Sequence, residues 1–178
     1  DPERHEIDID FVLHEADGPA ARWAAHANPG DDLIVVGPSP AYTPDPAIGR
    51  QIFVGDETAL PAIDAMLRTL PASAHAEVLI EVADEAERQP LACPADPRID
   101  WLFRDGRPAG VPDHLLAAVR ALDLPEPGSP EAHDIAVWAA GERAVMTQVR
   151  QHLVTERGLG RAVVRSTVYW RAGAAGPA

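Results

Sequence analysis

Two acids and a threonine follow directly after a short apolar run in the stretch IFVGDETALPAI, residues 52–63. Gly55 ends the run, and Asp56, Glu57 and Thr58 begin what reads as a helix. A helix N-terminus offers free N–H groups and a positive dipole end, the arrangement that holds a dinucleotide phosphate. The later glycines of the usual fingerprint are missing, however, and a carboxylate close to a phosphate is unfavourable. The alternative is that the two acids only complement the helix dipole.

A phosphate can still be accommodated at this turn if the acids point aside. In that arrangement the N–H groups of Thr58, Ala59 and Leu60 face the ligand. We expect Thr58 to be the N-cap residue and Pro61, which has no N–H, to lie in the first turn. A dinucleotide held at this turn would be bound transiently rather than permanently.

Further candidates stand where the next predicted strands end. Glu81 and Asp84 follow the second strand, in the region where an acid often bonds the adenosine ribose. These two acids favour NADH, because a 2′-phosphate would call for a basic residue there. Arg104 and Arg107 follow the third strand and remain able to reach such a phosphate, so NADPH stays open.

The last two predicted strands end in a glycine, an acid and two aromatic residues followed by an arginine. Gly141 and Glu142 end the fourth strand, where glycine allows close backbone approach. Tyr169, Trp170 and Arg171 end the fifth strand, and a guanidinium there suits an anionic ligand. The alternative is that the two aromatic residues form a lid that packs on the last helix.

The elements that must position these residues alternate between apolar strands and amphipathic helices. Strands are predicted at 51–55, 76–83, 98–105, 134–141 and 161–170, and helices at 57–70, 112–124 and 142–158. This alternation indicates an α/β fold, a five-stranded parallel sheet with helices on both faces. Ligands of such sheets bind outside the carboxyl ends of the strands, near the switch in strand order.

The first 50 residues have a different pattern. Residues 5–14 alternate acidic or polar with apolar side chains, and 31–38 contain an apolar run at 33–36, so we expect two antiparallel strands with one short helix between them. Residues 39–50 are rich in proline and read as a linker. We therefore expect a barrel remnant at 1–38, a linker at 39–50 and a nucleotide-binding domain at 51–178. The start without Met indicates the second part of a longer polypeptide.

Composition argues against several classes of partner. The 178 residues carry a net charge of −13, with 15 cations, all Arg, against 28 acids, which disfavours nucleic acid and anionic membranes. No apolar stretch approaches the roughly 20 residues of a membrane helix. The single Cys93 cannot form an internal disulfide, which fits a reducing compartment, here the cytoplasm. The seven His lack metal-ligand spacing, no hydrolase or P-loop motif occurs, and we expect a monomer without a bound metal.

The ordered set DIDFVLHEADGPAARWA, PGDDLIVVGP, AYTPDP, GDETALPAI, IEVAD, AAGE, ERG and VYWRAG resembles the siderophore-interacting proteins over essentially all 178 residues. These are ferric-siderophore reductases of the ferredoxin-reductase-like superfamily. The resemblance implies an FAD-binding β-barrel followed by an NAD(P)H-binding domain. Hydride would pass from NAD(P)H to the flavin, and single electrons from the flavin to Fe(III) in a siderophore, where the iron is substrate.

The resemblance also implies which residues meet each partner. The FAD pyrophosphate and adenine would be contacted by His14, Gly18, Pro19, Ala20, Ala21, Trp23 and Tyr42. NAD(P)H would be contacted by Gly55, Asp56, Glu57, Thr58, Ala59, Glu81, Asp84, Gly141 and Glu142. The catalytic set would be Tyr169, Trp170 and Arg171, with Arg171 facing an anionic catecholate or hydroxamate siderophore.

Two departures from the family pattern keep other functions open. The Arg-x-Tyr-Thr type motif that seats the flavin ring is missing, and Ala21 stands where the family often has serine. A non-catalytic siderophore- or nucleotide-binding module that has lost flavin is therefore one alternative. A general flavin reductase of the same superfamily is the other.

Overall fold

The computed structural model describes residues 4–7, 9, 11, 18–35 and 42–174. Their dominant element is one five-stranded parallel sheet in the order β3-β2-β1-β4-β5, as the alternation of strands and helices predicts. The strands are β1 (Arg50–Asp56), β2 (His75–Val82), β3 (Arg98–Phe103), β4 (Ile135–Glu142) and β5 (Val164–Trp170). The central strand β1 pairs with β2 on one side and β4 on the other, with Val54 opposite Leu79 and Ala139.

The described residues form four α-helices: α1 (Pro19–Ala24), α2 (Leu60–Leu67), α3 (Asp113–Arg120) and α4 (Arg143–Arg150). The predicted helix at 57–70 begins with a 3₁₀ turn at Glu57–Ala59 and ends its α-helical part at Leu67. The predicted helix at 142–158 continues beyond α4 as a π-helical turn at Gln151–Glu156. Both differences lie at helix ends, where backbone groups lack their usual partners and the turn type changes easily.

The helices cover both faces of the sheet, as predicted. Successive strand residues point to opposite faces, so Phe53 packs with α2 through Ile63. Its neighbour Val54 packs on the other face, with Val119 of α3 and Val149 of α4. Because these strands are buried on both sides, they read in the sequence as continuous apolar runs.

No α-helix connects β2 to β3 in the described part of the chain. A 3₁₀ turn at Glu85–Glu87 and an irregular segment make this connection. Leu91 and Cys93 of that segment pack against the α2 face, so the free thiol is partly buried in apolar contacts. This irregular connection therefore takes the place of a helix on the α2 side of β3.

The antiparallel strands predicted at 5–14 and 31–38 are not found in the residues that the structure describes there. Residues 4–7, 9, 11 and 31–35 form no strand, whereas the short helix between them is present as α1. A strand needs a hydrogen-bonded neighbour, while the hydrogen bonds of a helix are internal. Ile7 and Ile34 are accordingly 69% and 88% exposed. In the described part of the chain no helix is long and apolar enough to cross a membrane.

Candidate functional site

The strand order reverses between β1 and β4, because the chain moves from β1 outward to β3 and then returns to β4. A crevice at the carboxyl ends of these two strands is the expected ligand position in such sheets. Asp56 ends β1 and Glu142 ends β4, and both carboxylates are buried, with 5% and 3% exposure. Two acids thus lie at the point where a ligand would enter.

The Asp56 carboxylate accepts four hydrogen bonds from three different elements. The Thr58 backbone N–H and hydroxyl donate to Oδ1, the former at 3.0 Å. The Glu142 backbone N–H and the Trp170 indole Nε1–H donate to Oδ2, at 3.1 and 2.8 Å. Burial raises the pKa of Asp56 above its ordinary value, although the Thr58 and Trp170 hydrogen bonds oppose that rise. Asp56 therefore joins the ends of β1, β4 and β5.

Two glycines make room for this arrangement. A Cβ at Gly141, whose φ is +154°, would lie 2.6 Å from Oδ2 of Asp56. A Cβ at Gly55 would lie 2.5 Å from the Cβ of Ala59 and 2.9 Å from the Ala140 carbonyl oxygen. The backbone at Gly141 is thus closely approached by another group, as expected of a glycine there, and that group is the Asp56 carboxylate.

The Glu142 carboxylate binds the helix that follows it and the chain after β5. Its Oε2 accepts the N–H groups of Ala144 and Val145, which makes Glu142 the N-cap of α4. Its Oε1 accepts the N–H of Ala172 at 3.1 Å. The register of β4 and β5 shifts at this position, which places Glu142 opposite Trp170.

Residues 170–172 are consequently fixed at both ends. Asp56 binds the Trp170 indole and Glu142 binds the Ala172 backbone. Arg171 lies between these contacts and is exposed, and its carbonyl accepts the Ala174 N–H at 3.2 Å. Its guanidinium makes no hydrogen bond or ion pair with any residue that the structure describes. An unpaired guanidinium therefore stands beside the crevice.

The N-terminus of the helix after β1 differs from the prediction. The cap is Asp56, because its carboxylate accepts the Thr58 N–H, so Thr58 is not the N-cap residue. The Leu60 N–H donates to the Glu57 carbonyl. Pro61 lies in the first turn of α2 as predicted. Two of the three N–H groups expected to face a phosphate are thus already bonded within the protein.

Glu57 is turned away from the crevice by a buried arginine. Arg104, 8% exposed, donates from Nη1 and Nη2 to the two Glu57 carboxylate oxygens at 2.7 Å each. Its Nη1 also lies 3.6 Å from Oε2 of Glu81. Burial raises the pKa of Glu81 to about 7, while Arg104 opposes the rise and the charges of Glu57 and Asp56 add to it. Arg104 is a structural counter-ion for two acids rather than a free phosphate ligand.

A cavity of about 110 Å³ opens beside this ion-pair cluster. It is lined by residues from the end of β2, from the loop after β3 and from the start of α3, namely Glu81, Arg104, Arg107, Pro108, Val111, Asp113 and His114. Arg107 is exposed, and its Nε donates to the Arg104 carbonyl at 3.1 Å. Asp84, in contrast, is exposed and accepts the Ala86 N–H at 2.8 Å, which caps its own turn. The structure thus separates Asp84 from Glu81.

The aromatic residues at the end of β5 have different environments. Tyr169 is 39% exposed, and its ring meets the buried Trp138 edge-on at 6.2 Å between centroids. Partial burial raises the pKa of the Tyr169 hydroxyl above its ordinary value. Trp170 is half-buried and lies close to the loop before α3, since a Cβ at Gly110 would be 3.1 Å from its Cη2. The Trp170 indole therefore donates to Asp56 and does not form a lid that packs on the last helix.

The predicted FAD contacts fall on α1 and on the segment before β1. Gly18 is buried and precedes α1, which starts at Pro19 without a side-chain cap. The N–H groups of Ala20 and Ala21 have no partner among the described residues. The Trp23 ring packs against Phe11 at 5.7 Å between centroids, as a helix-face aromatic would. His14 lies outside the described residues.

Tyr42, the predicted adenine contact, is partly buried against the α2 face of the sheet. The Arg165 guanidinium carbon lies 5.7 Å from its ring centroid, a cation–π arrangement. Burial raises the pKa of Tyr42, and Arg165 lowers it in part. Tyr42 therefore anchors the segment before β1 to β5, and one face of its ring is already in contact with protein.

Sequence reasoning missed the partners of the acids at the carboxyl edge. The Asp56–Trp170 hydrogen bond joins residues 114 positions apart, and the Arg104–Glu57 pair joins residues 47 positions apart. A signal existed for the second pair, because the end of β3 lies two strands from the end of β1 in a parallel sheet. No local pattern signals the first.

The profile of the siderophore-interacting protein family matches residues 48–173, and that of the siderophore-interacting FAD-binding domain matches residues 1–42. A siderophore utilization protein from T. fusca is 40% identical, with a TM-score of 0.78 over 93% of this chain and 60% of that chain. The ferric vibriobactin reductase ViuB of Vibrio cholerae is 33% identical over 95% of this chain and 60% of the relative. The NADPH-dependent ferric-chelate reductase of Escherichia coli is 31% identical over 95% of this chain and 62% of the relative.

The chain spans about three fifths of the length of these relatives. Its sheet and its structural relatives together identify the ferredoxin-reductase-like nucleotide-binding domain, and the first 42 residues match part of the FAD-binding domain. The resemblance seen in the sequence motifs is confirmed, because the first profile covers 126 residues, well over half of the chain. The chain belongs to the siderophore-interacting protein family.

Proposed function

We propose that this chain is the nucleotide-binding part of a flavin-dependent ferric-siderophore reductase. NAD(P)H loses a hydride and becomes NAD(P)⁺, and its two electrons reduce two Fe(III)–siderophore complexes to Fe(II). Ferrous iron is released because it binds the oxygen-rich siderophore weakly. The names of the V. cholerae and E. coli relatives, a ferric vibriobactin reductase and a ferric-chelate reductase, support this reaction class.

The main support from the molecule itself is the exposed Arg171 beside the β1/β4 crevice. An exposed guanidinium without a protein partner is suited to an anionic ferric complex, because it can donate several hydrogen bonds to catecholate or hydroxamate oxygens. Its neighbours Tyr169 and Trp170 supply flat apolar surface for the ligand's aromatic or acyl groups. In this proposal Arg171 binds the ferric siderophore, and the dinucleotide enters at the ends of β1 and β4.

The residues predicted to contact FAD fit the diphosphate of that cofactor. The N–H groups of Ala20 and Ala21 have no partner in the part of the chain that the structure describes, and they follow a buried glycine at the start of α1. Such groups can bind phosphate oxygens. Ala21 provides no hydroxyl, so the backbone alone would hold the diphosphate. FAD, when bound, supplies the conversion of one hydride into two single-electron transfers. Tyr42 is proposed to border the adenine with the ring face that Arg165 leaves free.

The dinucleotide contacts are proposed at the crevice and at the cavity beside Glu81. The carboxyl end of β2 is where an acid bonds the adenosine ribose in dinucleotide-binding sheets, and Glu81 lines the cavity there. Arg107 and His114 line the same cavity, and in this proposal they would meet a 2′-phosphate. We therefore propose NAD(P)H as the donor, with both forms to be compared, in a protein of the cytoplasm.

The test uses the purified full-length gene product, loaded with FAD, under anaerobic conditions. We expect a yellow protein whose visible band bleaches with NADH or NADPH and returns when a ferric siderophore is added, with Fe(II) trapped by a chromogenic chelator. A protein that stays colourless with added FAD would overturn the reductase proposal in favour of a binding module. Equal turnover with free flavin and no dependence on the ferric complex would indicate a general flavin reductase.

A further inference from the structure

The geometry points to Asp56 and Glu142 as positioning residues that hold the chain around Arg171, rather than as ligands of the dinucleotide. This inference rests on the proposed function, since it takes Arg171 as the group that meets the anionic ferric complex. Neither acid contacts the reacting atoms in this account. Each acts through the segment 170–172.

Both carboxylates already accept hydrogen bonds from protein donors, four at Asp56 and three at Glu142. Asp56 accepts from Thr58, Glu142 and Trp170, and Glu142 accepts from Ala144, Val145 and Ala172. A buried carboxylate with three or four donors has most of its hydrogen-bonding capacity used inside the protein. A ribose or amide of a dinucleotide could bind here only by displacing one of them.

The contacts of Asp56 and Glu142 with residues 170 and 172 lie on both sides of Arg171. One is a side-chain contact to residue 170 and the other is a backbone contact to residue 172. Fixing both neighbours limits the directions in which the Arg171 Cα–Cβ bond can point. A long side chain held at its base loses less conformational freedom when it binds an anion, so less affinity is lost to ordering.

The packing around the Asp56 and Glu142 carboxylates is close. A Cβ at Gly141 would meet the Asp56 carboxylate, and a Cβ at Gly110 would lie 2.8 Å from Cγ of Glu142 and 3.1 Å from Cη2 of Trp170. Both glycines have positive φ, at +154° and +78°. The two acids and the indole thus share a site from which side chains at 110 and 141 are excluded.

The first measurement reads the contacts directly, without catalysis. Hydrogen exchange of the ¹⁵N-labelled chain is followed by NMR at the Trp170 indole N–H and the Ala172 amide. We expect Asp56→Asn to accelerate indole exchange and Glu142→Gln to accelerate Ala172 exchange, each about tenfold, the equivalent of one hydrogen bond. Asp134→Asn is the matched control, because Asp134 accepts the Gly49 N–H at 2.7 Å at the opposite edge of the sheet.

The second measurement is binding by equilibrium dialysis with two iron probes. The ferric tris-catecholate trianion carries charge, and the neutral ferric tris-acetohydroxamate complex does not. We expect Arg171→Gln to weaken binding of the trianion about tenfold, and Asp56→Asn and Glu142→Gln to weaken it about threefold. Binding of the neutral complex should change less than twofold in all three variants.

The outcomes separate this inference from the proposed function. If Arg171→Gln binds the trianion like the wild type, the siderophore-binding role proposed for Arg171 is wrong. If Arg171→Gln binds weakly but Asp56→Asn and Glu142→Gln bind normally, the positioning role is wrong. Equal weakening for both probes would indicate general loosening and would also overturn it. Should Asp56→Asn fail to fold, Trp170→Phe removes the indole donor and replaces it in the binding measurement.

Discussion

Replacing Glu81 by glutamine is expected to change how the stability of this protein depends on pH. The Glu81 carboxyl is buried among Asp56, Glu57 and Arg104, and burial raises its pKa to about 7 from an ordinary value of 4.5. The folded protein therefore holds this proton more tightly than the unfolded chain. The resulting stabilisation is fully present below pH 4.5 and is lost as the pH rises through about 7.

The magnitude follows from the two pKa values. A difference of this size corresponds to at most about 3 kcal/mol in the free energy of unfolding, when the carboxyl is fully ionised. Glutamine does not titrate, so Glu81→Gln keeps its stability over the same range. We expect the variant to gain about 2–3 kcal/mol relative to the wild type between pH 5 and pH 8.

The assay is urea unfolding at half-unit pH steps from 5 to 8, followed by circular dichroism and fluorescence. Glu126→Gln serves as the control for removing one negative charge from an exposed position. A ¹³C carboxyl titration of Glu81 provides an independent reading, with an expected midpoint near 7. A stability difference between wild type and Glu81→Gln that stays constant from pH 5 to pH 8 would refute the reasoning.

Two further changes test the packing and charge balance of the carboxyl edge. Gly141→Ala should destabilise the protein by about 2 kcal/mol or more in urea unfolding, because the new Cβ would lie 2.6 Å from the Asp56 carboxylate. Gly160→Ala, where no atom lies within 4 Å of the added Cβ, should stay within about 0.5 kcal/mol of the wild type. Arg104→Met should cost about 3 kcal/mol or more at pH 8 because it leaves Glu57 without its bidentate partner. Equal stabilities of Arg104→Met and wild type at pH 8 would contradict that assignment.

The sheet was predictable because its strands carry the signal in their own residues. Runs such as Ile52–Val54 are apolar on both faces and alternate with amphipathic helical segments, a pattern that requires a parallel sheet with helices on both sides. The gathering of the strand-end residues at one edge could also be predicted, because the carboxyl ends of parallel strands meet there. The family resemblance added the partners that no periodicity indicates.

The contacts among the edge residues were not predictable, since they join distant parts of the chain. The sequence around Asp56 is compatible with a phosphate-binding turn, and only Trp170, 114 residues later, shows where its carboxylate is directed. Thr58 has a favourable cap side chain, yet Asp56 two residues earlier caps the turn. Tertiary donors decide between such local options.

The strands predicted at 5–14 and 31–38 are not formed by the residues of those segments that the structure describes, for a related physical reason. The alternation at 5–14 is a sound signal of a half-buried strand, but a strand forms only when neighbouring backbone completes its hydrogen bonds. The described residues in that part of the chain make no such ladder. The α1 helix at Pro19–Ala24, whose bonds are local, was predictable from its sequence alone.

The central claim is that electrons from NAD(P)H reach siderophore iron through a flavin held by this protein. The most direct measurement is a single-turnover experiment on the FAD-loaded full-length gene product, in which the flavin is reduced with one equivalent of NADH or NADPH and then mixed with excess ferric siderophore. The account predicts reoxidation of the flavin with about two Fe(II) formed per flavin, since each hydride carries two electrons. A reduced flavin that persists in the presence of the ferric siderophore would contradict it.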